Sequence, residues 1–381
     1  MLSAGLLAQR PVAADPYTDG KPAVCEKLGI LSHGPFPLGD DHGSAAIDAA
    51  VGPGRVVWLE TEHFRIGCAL PALPMPEASR SRKAIQEECR LLHKRVGAFP
   101  EAPSNLDPWL HAHLFAARLE SLYASIRARL GVDDAWFSAH PLVGGRGAGA
   151  NLGCRGKFAV LLFGQEADLG RYLRRYCDDV ADRPRVHWFK TIDAQLFATS
   201  ADCFGGRLRD PALLHAHVIH AVSGMLLGAY VGAPDVVPWW FQNGFGHWYA
   251  RSAHERSVDV GEIPEDEFAN DDSWQWESRV GQRARRDAVT PWKTVIGWPD
   301  GAACRPIDHA VQWSMVDFLF VQGEIETIQW FRHLRSNPLR SRHAPPALIE
   351  RWHDAAFQAA LGCGLADAEA RWRKFAVSRS R

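Results

Sequence analysis

The chain has 381 residues, is 46% hydrophobic and 23% charged, and carries a formal net charge of −1. That balance supports a large buried core and excludes a disordered chain. Near-neutral charge gives no electrostatic reason to expect nucleic acid or an anionic membrane as a partner.

The first stretch, Met1 to Ala14, joins a short apolar run to small residues, which is the pattern of a signal-peptide remnant and predicts export to the periplasm or the extracellular space. No run reads as long and apolar enough to span a membrane. The eight cysteines (Cys25, Cys68, Cys89, Cys154, Cys177, Cys203, Cys304 and Cys363) contain no CxxC pair, which argues against a cysteine zinc site or a thioredoxin-like motif. Their scattered spacing fits disulfides in an exported protein and fits buried thiols equally well.

Residues 15 to 54 are rich in Gly, Pro and Asp and read as an extended lead-in. Val56 to Leu70 has the interleaved apolar pattern of a strand. Pro76 to Phe99 reads as a charged helix, and Trp109 to Leu130 as an amphipathic one stopped by Gly131. His111 and His113, two apart on that helix, point to different faces and read as ordinary surface or packing residues. Gly144 to Gly156 lacks the Lys-Ser/Thr of a phosphate loop and reads as a flexible loop. A buried-type strand at Phe158 to Gly164, a helix at Glu166 to Asp179 and one or two strands in Val186 to Ser200 follow.

From Asp210 to Ala253 the sequence predicts two helices joined by a Gly/Pro-rich turn. Asp210 suits an N-cap and Pro211 the first helical position. Gly228 to Pro238 interrupts the helical period, and Trp239 restarts it. Residues 254 to 305 read as polar and irregular. Helices are expected again at His309 to Val321, Glu324 to Ser336, Leu348 to Leu361 and Asp367 to Phe375.

The paired helices, with the segments around them, resemble the gluzincin metallopeptidases, the peptidase-MA-like group related to thermolysin. In that family the first helix carries HExxH and the second a Glu within P-x-W-x-x-E-G-x-A-x-Y. The two His and the later Glu bind zinc, and the first Glu is the general base. The resemblance covers roughly residues 56 to 378. It implies an α+β fold: a small N-terminal sheet with helices, then a mainly helical C-terminal part. The layout expected is a lead-in over 1–54 and one domain over 55–378, with the sheet in 55–208, the motif helices in 210–253 and the helical part in 254–378.

On the HExxH pattern, Ala216 takes the place of the first zinc-binding His and His217 that of the general base, and only His220 matches. In Pro238-Trp239-Trp240-Phe241-Gln242-Asn243-Gly244, Asn243 takes the place of the third ligand. His309 falls where the family has a Tyr able to stabilise an oxyanion. These replacements predict a non-catalytic metallopeptidase homologue with no cofactor, keeping its cleft for a peptide or glycan or for a structural role. Ala216, Asn243, Trp239 and His309 are then expected to line the cleft, with Asn243 hydrogen-bonded to His217.

The competing reading is a zinc peptidase whose metal rests on His217, His220 and His247. A serine route through Ser223 with Asp235 or Asp259 has no G-x-S-x-G elbow to support it.

Overall fold

A computed structural model describes residues 14–143, 146–254, 275–339 and 341–380. In chain order the elements are α1 (Pro22–Leu28), α2 (Ser44–Val51), β1 (Val57–Glu60), β2 (Phe64–Ala69), β3 (Leu73–Pro74), α3 (Ser79–Arg95), β4 (Asn105–Leu106) and α4 (Pro108–Leu130). Next come α5 (Trp136–Ala139), β5 (Phe158–Phe163), α6 (Glu166–Tyr176), β6 (Arg185–Phe189), β7 (Ala194–Ser200) and α7 (Cys203–Gly206). The remainder is helical: α8 (Pro211–Val231), α9 (Trp239–Ala253), α10 (Trp276–Arg285), α11 (Trp292–Val295), α12 (Pro306–Phe320), α13 (Glu324–Arg335), α14 (Pro346–Leu361) and α15 (Leu365–Arg379). Helix outweighs strand by 55% to 11%, which makes the fold class α+β.

The chain divides into two compact units, one of Met1–Ser121 with Gly156–Leu214 and one of Leu122–Arg155 with His215–Arg381. The first holds a five-stranded sheet in the order β1-β2-β5-β7-β6. Its centre, β2, β5 and β7, is parallel, and the flanking β1 and β6 run antiparallel to their neighbours. Every residue of β5 and β7 is buried. Their sequences, FAVLLF and AQLFATS, show the near-continuous apolar character of strands covered on both faces. A smaller core forms in the same unit, where Ile85, Cys89 and Leu92 of α3 meet Phe99, Leu106, Leu110 and Leu114.

Several expectations need correction. Residues 15–54 are folded rather than extended, because they contain α1 and α2 and bury Ile30, Phe36, Leu38 and Ile47. The single strand expected at Val56–Leu70 is a hairpin. Thr61 closes its turn through a hydrogen bond from its N–H to the Phe64 carbonyl at 2.8 Å. Glu120 secures it, accepting from the His63 N–H at 2.9 Å and bonding the His63 ring at 2.7 Å. No Gly or Asn marks this turn, since a distant carboxylate on α4 holds it. Between Arg146 and Gly156 the chain forms tight bridged turns, Gly149 opposite Gly153 and Asn151 opposite Cys154, while residues 144 and 145 lie outside the described residues. The stretch after α9, read as irregular, contains α10 and α11, and residues 255–274 lie outside the described residues.

Three further points concern the cysteines, the N-terminal residues and α8. All eight cysteines are free thiols, six of them buried, rather than paired in disulfides. The residues read as a signal remnant lie outside the described residues, apart from Ala14. Against the expectation that no run could span a membrane, α8 is long and apolar enough by length and composition, although most of it is buried in the fold.

One polar cluster organises the start of the first unit. The buried carboxylate of Asp15 accepts from Thr18 Oγ1 at 2.6 Å and bonds the rings of His113 at 2.9 Å and His33 at 3.1 Å. Close to His113 on the helix, His111 is buried and held neutral, its pKa pushed down to about 3 by burial and by the nearby Arg118 charge. Burial alone would raise the Asp15 pKa, but the hydrogen bonds from His113, His33 and Thr18 outweigh it and hold the carboxyl well below the usual range. A depressed folded-state pKa stabilises the fold above the unfolded carboxyl value of about 3.9 and loses that contribution as pH falls below it. Asp15→Asn is expected to cost about 2–4 kcal/mol at neutral pH, measured by urea unfolding, and to flatten the loss of stability between about pH 4 and pH 2. An acid limb as steep as that of the unsubstituted protein would contradict this role.

Candidate functional site

The candidate site lies in the second unit, where α8, α9 and α12 meet. Its first helix starts as the sequence predicts: Asp210 Oδ1 accepts the N–H of Ala212 at 2.7 Å, satisfying a free donor of the first turn. The helix stops at Gly232, whose φ of +77° is readily adopted by glycine. A turn at Pro234–Val236 and then Pro238 lead into α9.

Most of α9 is buried, and two glycines set how closely it packs. A Cβ on Gly244 would stand 2.5 Å from the carbonyl oxygen of Gln312 on α12. A Cβ on Gly246 would stand 2.7 Å from the His220 ring on α8 and 3.0 Å from the His220 carbonyl oxygen. Neither position has room for a side chain, so α9 lies against both neighbours with its backbone nearly in contact.

The polar residues at this junction bond to one another. The Asn243 amide nitrogen donates to Gln312 Oε1 at 2.6 Å and faces His309 Nδ1 at 3.0 Å. His247 Nε2 also faces His309 Nδ1 at 3.0 Å. The Asn243 and His247 nitrogens thus converge on one His309 nitrogen, whose single in-plane lone pair accepts from one of them at a time. Gln312 in turn donates to Cys304 Sγ at 3.7 Å. The His247 ring stands 4.5 Å from His220 and 4.9 Å from Trp276, centroid to centroid, and Trp239 meets His309 edge-on at 6.1 Å. Asn243, His247, His309 and Gln312 are all buried.

The start of α12 is fixed by a reciprocal cap. Asp308 accepts from the Arg305 N–H at 3.0 Å, the Arg305 side chain at 2.9 Å and Thr290 Oγ1 at 2.6 Å. Burial would raise the Asp308 pKa, but Arg305 and Thr290 hold it below the usual range. This cap places His309, the next residue, on the face that meets α9.

The structure brings together His220, Asn243, His247, Trp239 and His309 from the sequence-predicted set. Asn243 bonds Gln312 and His309, in place of the expected bond to His217. Ala216 and His217 are both buried on α8. Among the described residues, no group of three His, Cys, Asp or Glu is placed to hold a metal ion. Ser223 is a buried mid-helix residue whose hydroxyl donates to the His220 carbonyl at 2.9 Å. Asp259, the other triad candidate, lies outside the described residues. Sequence reasoning missed Gln312. Gln312 was findable, since it follows His309 by three residues and so shares its helical face.

No family model, no curated protein and no solved structure matches the chain.

The zinc site implied by the family resemblance does not fit these donors. Ala216 offers no ligand, and the Asn243 group turned toward its neighbours is an amide N–H₂ that donates hydrogen bonds. Gly244→Ala tests the packing beneath this arrangement. It is expected to cost about 1–3 kcal/mol in urea unfolding, because the added methyl meets the α12 backbone rather than a movable side chain. A cost near zero would mean that α9 and α12 separate freely.

Proposed function

We propose that this chain is a gluzincin-like protein in which the peptidase reaction has been lost and the zinc site replaced by a neutral hydrogen-bond cluster. The observation that carries the reading is the orientation of Asn243. At the position matching the family's third ligand, an amide donates to Gln312 and His309. Three things support the family frame. A strand–helix–strand order precedes the first motif helix, the paired helices follow, and Gly244 stands where the family pattern has Gly after its Glu. Because Asn243, His247 and His309 are buried, the cluster's own role is structural, and a peptide or glycan would be bound by other residues. Export belongs to the same reading, on the pattern of the N-terminal residues.

The test restores the missing ligands. A chain carrying Ala216→His, His217→Glu and Asn243→Glu together is expected to bind about one zinc per chain by elemental mass spectrometry. The unsubstituted protein, purified without chelator and given zinc, is expected to hold none. A folded triple variant without zinc, checked by circular dichroism, would overturn the family frame. Stoichiometric zinc in the unsubstituted protein, lost on His220→Ala, would overturn the loss of the metal site and favour a rearranged peptidase centre.

A further inference from the structure

The first unit contains a cavity of about 430 Å³, distant in sequence from the motif helices. It is lined by Asp15 and Asp19 ahead of α1, His33 after it, Asp48 in α2, Trp58 on β1 and Trp109 at the start of α4. The volume lies within the range of small-ligand sites, and no Lys or Arg is among the lining residues.

The three carboxylates differ in what they have available. Asp15 is fully engaged by His113, His33 and Thr18. Asp19 pairs with Lys21 at 3.2 Å on the surface. Asp48 has neither arrangement. Its two oxygens share the indole N–H of Trp58, at 3.2 Å each, and no cation pairs with it among the described residues. Half-burial pushes its pKa up, which marks a carboxylate deprived of solvent without a compensating positive charge. The same indole bond holds the carboxylate in place. Trp109 supplies a second ring on the lining, and its buried indole N–H finds no acceptor among the described residues.

We propose that this cavity binds a small organic cation, an amine carrying an apolar body, with Asp48 as its counter-ion and the Trp58 and Trp109 rings as its walls. A cation is favoured both by a carboxylate and by the electron-rich face of an indole, and the two effects reinforce each other where water is partly excluded. An anion would meet three carboxylates and no fixed positive side chain. A neutral apolar molecule would cover Asp48 and deepen its loss of solvent without supplying a partner. The inference is independent of the peptidase-like reading, because every residue it uses lies in the first unit.

Isothermal titration calorimetry of the full chain with benzylamine, benzyl alcohol and benzoate at neutral pH tests the charge requirement directly. The expected result is one saturable site for benzylamine, with both other probes at least about tenfold weaker. Asp48→Asn, which keeps the side-chain shape, is expected to weaken benzylamine by about tenfold. Ala45→Trp, at an exposed helical position on the cavity lining, is expected to abolish binding by filling the space. The proposal is overturned if benzyl alcohol or benzoate binds as tightly as benzylamine. No saturation by benzylamine up to about 10 mM also overturns it, as does unchanged binding in a folded Ala45→Trp chain. If Asp48→Asn does not fold, the probe series and Ala45→Trp decide the matter.

Discussion

The close approach of α9 to α8 and α12 is the constraint on which the second unit depends. Gly244 lets α9 meet the α12 backbone, and Gly246 lets it meet the His220 ring and carbonyl on α8, so the junction is tightly packed. Polar groups trapped there must satisfy one another. The sequence meets this demand with Asn243, Gln312, His309 and His247, which contact one another through their polar atoms. A carboxylate at position 243 would face the Gln312 carbonyl oxygen in this arrangement, acceptor against acceptor. In this arrangement an amide, which can donate to its neighbours, suits position 243 better than a carboxylate would.

Buried charge is handled in contrasting ways at Asp15 and at Arg335. In the first unit, Asp15 is matched by hydrogen-bond donors from His113, His33 and Thr18. In the second, Arg335 is buried with no carboxylate paired to it among the described residues. Its guanidinium donates to the carbonyls of Tyr230, His140 at 3.0 Å and Gly147 at 2.9 Å, with the rings of Trp136, Phe137 and Tyr230 around it. Carbonyl dipoles and aromatic faces replace a counter-ion, and a planar guanidinium with several donors suits that task better than an ammonium would. The arrangement ties the end of α8 to the turns before β5 by contacts between residues far apart in sequence.

Much of the helical part was legible because periodicity and caps are local signals. The N-cap at Asp210, the stop at Gly131 and the extents of α4, α12 and α13 follow from nearby residues. What escaped the sequence depended on distant partners. The hairpin turn at Thr61–His63 is held by Glu120, and α1 and α2 lie in a stretch whose Gly and Pro content masked them. His113 read as an ordinary residue because its partner, Asp15, is 98 positions away. At the site, residue identities announced that Ala216, His217 and Asn243 differ from the family pattern. They did not reveal which group takes up the Asn243 amide, since that depends on how α12 docks on α9.

The eight free thiols have a use beyond their chemistry. Burial drives the pKa of Cys68 and of Cys177 up to about 12 and that of Cys89 to about 11, so these sulfurs stay protonated and shielded while the fold is closed. Cys25, Cys68, Cys89, Cys177 and Cys203 belong to the first unit, and Cys154 is the buried cysteine of the second. Each can react with an alkylating reagent only when its surroundings open. The chain thus carries a natural set of timers, and the order in which they are modified would report which unit breathes first.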